Sequence, residues 1–170
     1  MKQRGFTLLE LVVVIVVLGI LAAVAIPHFI NIKQDALKAD LYALQGELKS
    51  ANKLVYSKAA LKGIESLEYN NYNTPSETNI MMEGKRVDLH YGQIQASKWN
   101  AETILHLNKD DWHMISTPGV FGQIYFTPKG APAFNNNNII DIEKSLCYLQ
   151  YGFDKQHYRQ PVYTLKTAGC

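Results

Sequence analysis

The first residue in this sequence whose side chain could carry a chemical function is Glu10, which interrupts an apolar run near the N-terminus. It is the one ionisable residue between Phe6 and Ile26, a stretch of 21 residues. As a helix, such a stretch spans about 31 Å, which matches the hydrocarbon core of a bilayer. A carboxylate inside this kind of run is costly unless it is paired, so it is functional by default. Glu10 therefore predicts a charged partner.

Cys147 and Cys170 are the two cysteines of the chain, and both lie in its last quarter. Two thiols are too few to hold a structural zinc ion by themselves. In an exported protein they form one disulfide that closes a loop of 24 residues, which the loop-entropy model values at roughly 3 kcal/mol. In a cytosolic protein they remain two unrelated thiols. The choice depends on whether the chain leaves the cytoplasm.

Length and composition set the class of protein. The chain has 170 residues, enough for one domain with a core, and its 47% apolar and 19% charged residues exclude a disordered chain. Lys2 and Arg4 account for the formal charge of +2, because 15 basic residues balance 15 acidic ones from Phe6 onward. This balance differs from the basic surface of nucleic-acid-binding proteins, so we expect no nucleic-acid partner.

Two ordinary membrane segments fit the N-terminus. Lys2 and Arg4 precede the apolar run, which places the start of a membrane helix in the cytoplasm. A plain single-pass anchor, with Glu10 reaching toward the headgroups, has this layout. A cleaved secretory signal is the second possibility, since Ala23-Val24-Ala25 matches a signal-peptidase site. The apolar region of such a signal is normally only about 7–15 residues long, however.

The segment Gly5-Phe6-Thr7-Leu8-Leu9-Glu10, followed by the apolar run and Pro27, resembles the class III signal of type IV prepilins. In that family a prepilin peptidase cuts after the residue that matches Gly5 and methylates the new amino terminus, here Phe6. A glycine suits this step because it lets the peptidase approach the backbone. The resemblance implies that Glu10, of the same or a neighbouring subunit, pairs with the Phe6 amine and sets the register of subunits in a filament.

The apolar run continues into an amphipathic helix. Apolar residues recur at spacings of three and four along one helical face, at Leu37, Leu41, Leu44, Leu48, Ala51 and Val55. Gly63 marks the expected end of this helix. We predict four segments: a leader over residues 1–5, a transmembrane and assembly helix over 6–27, an amphipathic helix over 28–63 and a globular head over 64–170.

The head predicts a small antiparallel sheet. Short apolar or alternating segments between glycines and prolines predict strands at residues 85–91, 112–115, 123–127, 146–151 and 162–165. Residues 97–107 predict a short helix capped by Ser97, with Trp99, Ile104 and Leu107 facing inward. The polar segment 154–159 predicts an exposed loop. The fold class is α+β: a long N-terminal α-helix, transmembrane in its lower half, packed on a small antiparallel β-sheet.

The head adds a finer resemblance, to pilins of the mannose-sensitive haemagglutinin type. It rests on matches in the same order along the chain: Val55-Tyr56-Ser57-Lys58-Ala59-Ala60, Tyr91-Gly92, Asp111-Trp112, Cys147-Tyr148 and Gly169-Cys170. Gln93-Ile94 departs from the Tyr-Pro-like pair that is common in that family, and residues 121–140 are unusual. A major and a minor pilin therefore both fit. The resemblance implies a C-terminal disulfide loop in pilins and usually a calcium loop in major secretion pseudopilins.

No pattern of catalytic residues stands out in the sequence. The chain lacks a nucleophile elbow, a P-loop, a zinc-protease motif and a dinucleotide fingerprint, so we expect no enzyme activity and no cofactor. Its five histidines show no i, i+4 pair. Asn135 to Asp141 offers oxygen ligands that calcium binds, but it contains few acids, and we expect no metal.

The sequence thus predicts a structural subunit of a type IV pilus that serves cell adhesion. The resemblance implies as partners other pilin subunits, a prepilin peptidase, an inner-membrane assembly platform and, before assembly, the lipid of the inner membrane. The mature protein is then expected in extracellular pili of a Gram-negative bacterium. The alternatives are a type II secretion pseudopilin and an anchored or secreted periplasmic binding domain.

Overall fold

The computed structural model of this chain describes residues 7–69 and 77–170, with the backbone alone over residues 25–31. The chain divides into two compact units, Met1–Ala36 and Leu37–Cys170, which we call the first and the second unit. This division does not test the four segments predicted from the sequence, which stay a prediction. The predicted leader, residues 1–5, lies outside the described residues, as do residues 70–76 of the predicted surface connection.

The two consecutive helical segments predicted over residues 6–27 and 28–63 form one continuous helix, α1, which spans Leu8–Lys62. It ends in a Schellman motif, in which the amides of Gly63 and Ile64 donate to the carbonyls of Ala60 and Ala59. The expected stop at Gly63 is therefore confirmed. In the part of the chain that the structure describes, no helix meets both the length and the hydropathy needed to cross a membrane. The transmembrane role of residues 6–27 thus stays a prediction.

The apolar face predicted for α1 forms part of the core of the second unit. Five of its six residues are at most 5% exposed, namely Leu37, Leu41, Leu44, Leu48 and Val55. Ala51 is half-buried and packs against the same cluster. The heptad spacing selects this face because residues three and four apart lie one above the other on a helix.

In the described part of the second unit, seven strands and two short helices follow α1. A three-stranded antiparallel sheet contains β1 (Asn79–Met82), β2 (Lys85–His90) and β3 (Gln93–Ile94), in that order. A four-stranded antiparallel sheet contains, also in sequence order, β4 (Trp112–Ser116), β5 (Gln123–Pro128), β6 (Tyr148–Gly152) and β7 (Val162–Lys166). The helices are α2 (Lys98–Leu105) and α3 (Ile139–Ser145). The α+β class is confirmed.

The five predicted strands are present, whereas β1, β3 and α3 were missed. Both hairpins of the three-stranded sheet turn on two residues with positive φ, Glu83-Gly84 and Tyr91-Gly92. Such two-residue turns match the twist of paired strands. A Cβ at Gly92 would also lie 2.9 Å from the ring of Tyr56 and 3.0 Å from the backbone of Glu65. Glycine at this position therefore allows the turn to lie against α1.

The helix predicted to be capped by Ser97 is confirmed, but the inward orientation predicted for one of its residues, Trp99, is wrong. The Ser97 hydroxyl accepts a hydrogen bond from the Asn100 amide, and α2 follows. Ile104 and Leu107 pack partly buried against the core, as expected. Trp99 is instead 58% exposed, and its indole N–H donates to the carbonyl of Arg86. Asn100 sets the buried face of this short helix. Its Oδ1 accepts a hydrogen bond from the Asp88 amide, and its Nδ2 donates to the Asp88 carbonyl.

Candidate functional site

The N-terminal candidate site begins with a capping box around Glu10. The backbone N–H and the hydroxyl of Thr7 both donate to Glu10 Oε2, at 2.9 and 2.8 Å, and the Glu10 amide donates to the Thr7 hydroxyl at 3.3 Å. This reciprocal arrangement satisfies donors that the first helical turn leaves free. Sequence reasoning missed the role of Thr7, although the Thr-x-x-Glu spacing is its signal.

The capping box holds the Glu10 carboxylate against Thr7, the residue that follows Phe6 in the sequence. Gly5 and Phe6, the predicted cleavage and methylation residues, lie outside the described residues. The predicted pairing of Glu10 with the Phe6 amine therefore stays a prediction. The carboxylate is nevertheless held at the start of the helix, in contact with the backbone N–H of Thr7.

On both sides of Glu10, the first unit presents a large apolar surface. Each large apolar side chain described between Leu8 and Val24 is at least 41% exposed. Contiguous apolar surfaces of this extent are rare on soluble monomers and mark contacts with protein or lipid. The surface is therefore a candidate assembly site.

The second candidate site is the C-terminal loop closed by a disulfide between Cys147 and Cys170, which confirms the predicted pairing. The Cα atoms are 4.9 Å apart, and Cys147 is fully buried beside α3. Gly169 donates its N–H to the carbonyl of Leu146 at 3.0 Å. A Cβ at Gly169 would collide with the Ser145 carbonyl oxygen, so only glycine allows the chain to approach here.

A buried polar network joins α1 to both sheets. The side chain of Asn52, 3% exposed, donates to the hydroxyl of Tyr163 at 2.7 Å and accepts from the amide of Ile94 at 2.9 Å. The Tyr151 hydroxyl bonds to Asn52 Oδ1 and to the carbonyl of Ile94. Burial raises the pKa of Tyr163 to about 12, so its hydroxyl stays protonated. The network holds β3, β6 and β7 on the helix.

His90 is the residue that holds the C-terminal loop against the rest of the second unit. Its side chain is fully buried at the end of β2. Nδ1 accepts a hydrogen bond from the Tyr69 amide at 3.1 Å, so the proton lies on Nε2, which donates to the carbonyl of Tyr158 at 2.6 Å. The ring also packs edge-on against Phe153. Sequence reasoning missed this role, because the partners lie 21 and 68 residues away.

We expect acid to weaken the second unit through His90. Burial lowers the pKa of His90, although Glu68 opposes that shift, and a protonated Nδ1 could not accept from the Tyr69 amide. A neutral histidine in the folded state and an ordinary pKa of about 6.5 in the unfolded state make the unfolded chain bind more protons below that pH. The free energy of unfolding should therefore fall as pH drops from 7.5 to 5.

Urea unfolding at the two pH values measures this effect, and His90→Gln is the matched control because an amide can donate and accept without titrating. Burial raises the pKa of the neighbouring Tyr69, which stays neutral in this range, and Glu68 is the acid that acts on the ring. Backbone and side-chain bonds from His157 lower the pKa of Asp154, so this carboxylate stays ionised. An equal loss of stability in the variant and in the wild type would exclude His90 as the source.

The polar side chains of the predicted exposed loop and of the asparagine-rich loop form hydrogen bonds within the protein. Residues 155–160 are exposed, as expected, and the Asp154 carboxylate accepts from the amides of Gln156 and His157. In the other loop, the side chain of Asn138 caps α3, and that of Asn136 bonds to the Asn138 amide and to Asp141. Within residues 7–69 and 77–170, no three His, Cys, Asp or Glu side chains converge as metal ligands.

Comparison with known proteins gives one family model and several relatives. The model, described as the prokaryotic N-terminal methylation motif, matches residues 1–26. The core protein G of the type II secretion system of Dickeya chrysanthemi is 30% identical over 140 residues, which cover 77% of this chain and 81% of that protein.

Two pilins are similar over shorter stretches. The major component of the type IV narrow pilus of Thermus thermophilus is 38% identical over 68 residues, covering 40% of this chain and 57% of the pilin. The type IV major pilin of Myxococcus xanthus is 49% identical over 53 residues, covering 29% of this chain and 24% of the pilin. The chain thus spans little more than half of the first pilin and about a quarter of the second. No solved structure matches the chain.

Proposed function

We propose that this chain, which belongs to the family of type IV pilin-like proteins, serves in surface attachment as a subunit of a type IV pilus. The relatives support a structural subunit that assembles with other pilins. The exposed apolar surface of the first unit and the methylation motif over residues 1–26 fit assembly through the N-terminal helix.

The disulfide between Cys147 and Cys170 is the observation that favours a pilus subunit over a type II secretion pseudopilin. The bond closes the C-terminal loop, which is the feature that the resemblance associates with pilins rather than with major pseudopilins. A bond of this kind forms in an oxidising compartment outside the cytoplasm. We therefore favour export to the cell surface, by way of the inner membrane of a Gram-negative bacterium.

The second candidate function is that of a type II secretion pseudopilin. It is favoured by the extent of the similarity, since relatives named core protein G match 77% and 72% of this chain at 30% and 32% identity. The pilins named above match 40% and 29% of it.

Attachment is supported by the loop that the disulfide encloses. Residues 155–160 are exposed and polar, and exposed loops on a rigid scaffold are where binding residues concentrate. The ordered matches to pilins of the mannose-sensitive haemagglutinin type support the same role. We propose no enzyme activity and no cofactor for the chain. Its proposed partners are other pilin subunits, a prepilin peptidase and an inner-membrane assembly platform.

Two phenotypes of one deletion strain test the choice of machine. Loss of surface filaments and of attachment, with protein secretion intact, is expected for a pilus subunit. Loss of secretion with attachment intact would instead assign the pseudopilin function. The strain complemented with the wild-type gene is the control, and the protein should be found in filaments sheared from its cells.

We expect Gly5→Asp to block maturation of the chain. A side chain at this position keeps the peptidase from the backbone, so the mutant should retain its leader and form no filaments. Mass spectrometry of the mature N-terminus measures the result: methylated Phe6 in the wild type and Met1 in the mutant. A wild-type chain that starts at Ile26 would instead indicate an ordinary secretory signal, and one that starts at Met1 a plain anchor.

A further inference from the structure

Two open grooves of opposite charge border α1 in the second unit. One, which we call the basic groove, has a volume of about 490 Å³ and is lined by Lys49 and Lys53 together with Tyr56, Gln93, Gln160 and Tyr163. The other, the acidic groove, has a volume of about 360 Å³ and is lined by Asp40, Glu47 and Asp111, with Lys129 as its one cation among the described lining residues.

The charges of the two grooves are equal and opposite. Asp111 and Lys129 form an ion pair at 3.6 Å, so the acidic groove retains the two negative charges of Asp40 and Glu47. The described lining of the basic groove contains two lysines and no acid, which leaves two positive charges. Lys49 Nζ lies 5.4 Å from the centre of the Tyr163 ring, whose face attracts the ammonium group into the groove.

Helix geometry places the two charged stripes on opposite sides of the buried face of α1. Asp40 and Glu47 are seven residues apart and share one side, while Lys49 and Lys53 are four residues apart and share the other. At 3.6 residues per turn the two stripes lie roughly half a turn apart. The leucines of the core, such as Leu44 and Leu48, lie between them. Neither stripe can therefore reach the other on the same copy.

We infer that the acidic groove of one copy of this chain binds the basic groove of the next copy. This inference rests on the proposed function, because it specifies how subunits of a filament meet through their second units. Two different surfaces of one chain that complement each other form a head-to-tail contact, which leaves a free groove at each end of the assembly. Such a contact grows into an open chain rather than a closed dimer.

The positions of the charges also fix an offset between neighbours. The midpoint of the acidic stripe and that of the basic stripe are seven to eight residues apart along α1. In copies that run parallel, pairing of the stripes therefore shifts one subunit by about 11 Å along the helix axis relative to the next. Opposite charges also favour this register over one in which like charges meet.

Charge reversal in the full chain tests the inference, with filament yield on cells as the readout. The first variant carries Lys49→Glu and Lys53→Glu, the second carries Asp40→Lys and Glu47→Lys, and the third combines all four changes. We expect each of the first two to lower the yield at least ten-fold, since like charges then meet. The third variant exchanges the two grooves and should restore most of the yield. Lys85→Glu with Lys144→Glu, two exposed lysines outside both grooves, is the control.

The possible results separate this inference from the proposed function. Wild-type cells without filaments would contradict both. Normal filaments from the first and second variants would overturn the inference and leave the function standing. Loss of filaments in the first variant without rescue in the third would also overturn it, and would indicate that the basic groove binds another anionic partner. Because all four side chains are exposed, the variants should keep the urea midpoint of the wild type.

Discussion

Glu10→Ala should abolish filament assembly while leaving maturation of the chain intact. The resemblance to type IV prepilins implies an apolar environment for the Phe6 amine in a filament, and without a carboxylate partner a buried charge is strongly unfavourable. We expect filament yield to fall by roughly a hundred-fold or more. Electron microscopy of sheared filaments measures the yield, and mass spectrometry of the membrane fraction should still detect a chain that starts at methylated Phe6.

Thr7→Ala separates the assembly role of Glu10 from its role in capping α1. The structure shows three hydrogen bonds between Thr7 and Glu10, and Thr7→Ala removes the two that involve the hydroxyl while it keeps the carboxylate. Loss of a helix cap costs only about 1 kcal/mol, so this variant should still assemble. If Thr7→Ala fails as completely as Glu10→Ala, the capping box rather than the charge is required. Normal filaments from Glu10→Ala alone would contradict the pairing outright.

Cys170→Ala should destabilise the second unit by about 3 kcal/mol, which is the loop-entropy value for a closed loop of this length. This is a large share of the 5–15 kcal/mol by which domains are typically stable. Cys170 is the better cysteine to replace because it is half-buried, whereas Cys147 is fully buried and its replacement would also disturb the core. Urea unfolding of the full chain in detergent, followed by the fluorescence of Trp99 and Trp112, measures the change.

Reduction of the wild-type chain is the matched test of the disulfide. A thiol reductant should lower the urea midpoint of the wild type to that of Cys170→Ala and leave the variant unchanged. Equal midpoints for the oxidised and reduced wild type would show that the bond adds no stability. Free thiols at both positions in protein from sheared filaments would contradict the bond itself and favour the pseudopilin function.

Much of the fold follows from local patterns in the sequence. The leucines of α1 recur at helical spacing over several turns, so one face was identified residue by residue, and Gly63 gave its end. The strands of the four-stranded sheet were identified as short apolar segments between glycines and prolines, and β2 by its alternation of apolar and polar residues. The pairing of Cys147 with Cys170 followed from their number once export was assumed.

The missed elements depend on contacts that a local pattern does not contain. The turns Glu83-Gly84 and Tyr91-Gly92 place a bulky residue at positive φ, where Asn or Asp is the usual signal for a hairpin. The strand β3 is only two residues long and is held in place by Asn52, 42 residues earlier. Trp99 was predicted to face inward, but its indole N–H has a backbone partner at the surface, the carbonyl of Arg86. His90 likewise joins segments that are distant along the chain.

The covalent ring between Cys147 and Cys170 also determines how the protein responds to pulling. In the proposed attachment function the filament carries tension, and tension on a folded chain extends any segment that it can pull away from the structure. Strands β6 and β7 lie inside the ring, with β7 at the edge of the four-stranded sheet. A force that enters at residues 155–160, inside the ring, divides between β6, which leads directly to Cys147, and β7, which leads to the same residue through Cys170 and the S–S bond. Because the bond ties the segment after β7 to Cys147, this edge strand cannot peel away by itself, and the exposed loop at residues 155–160 keeps the support of both strands under load.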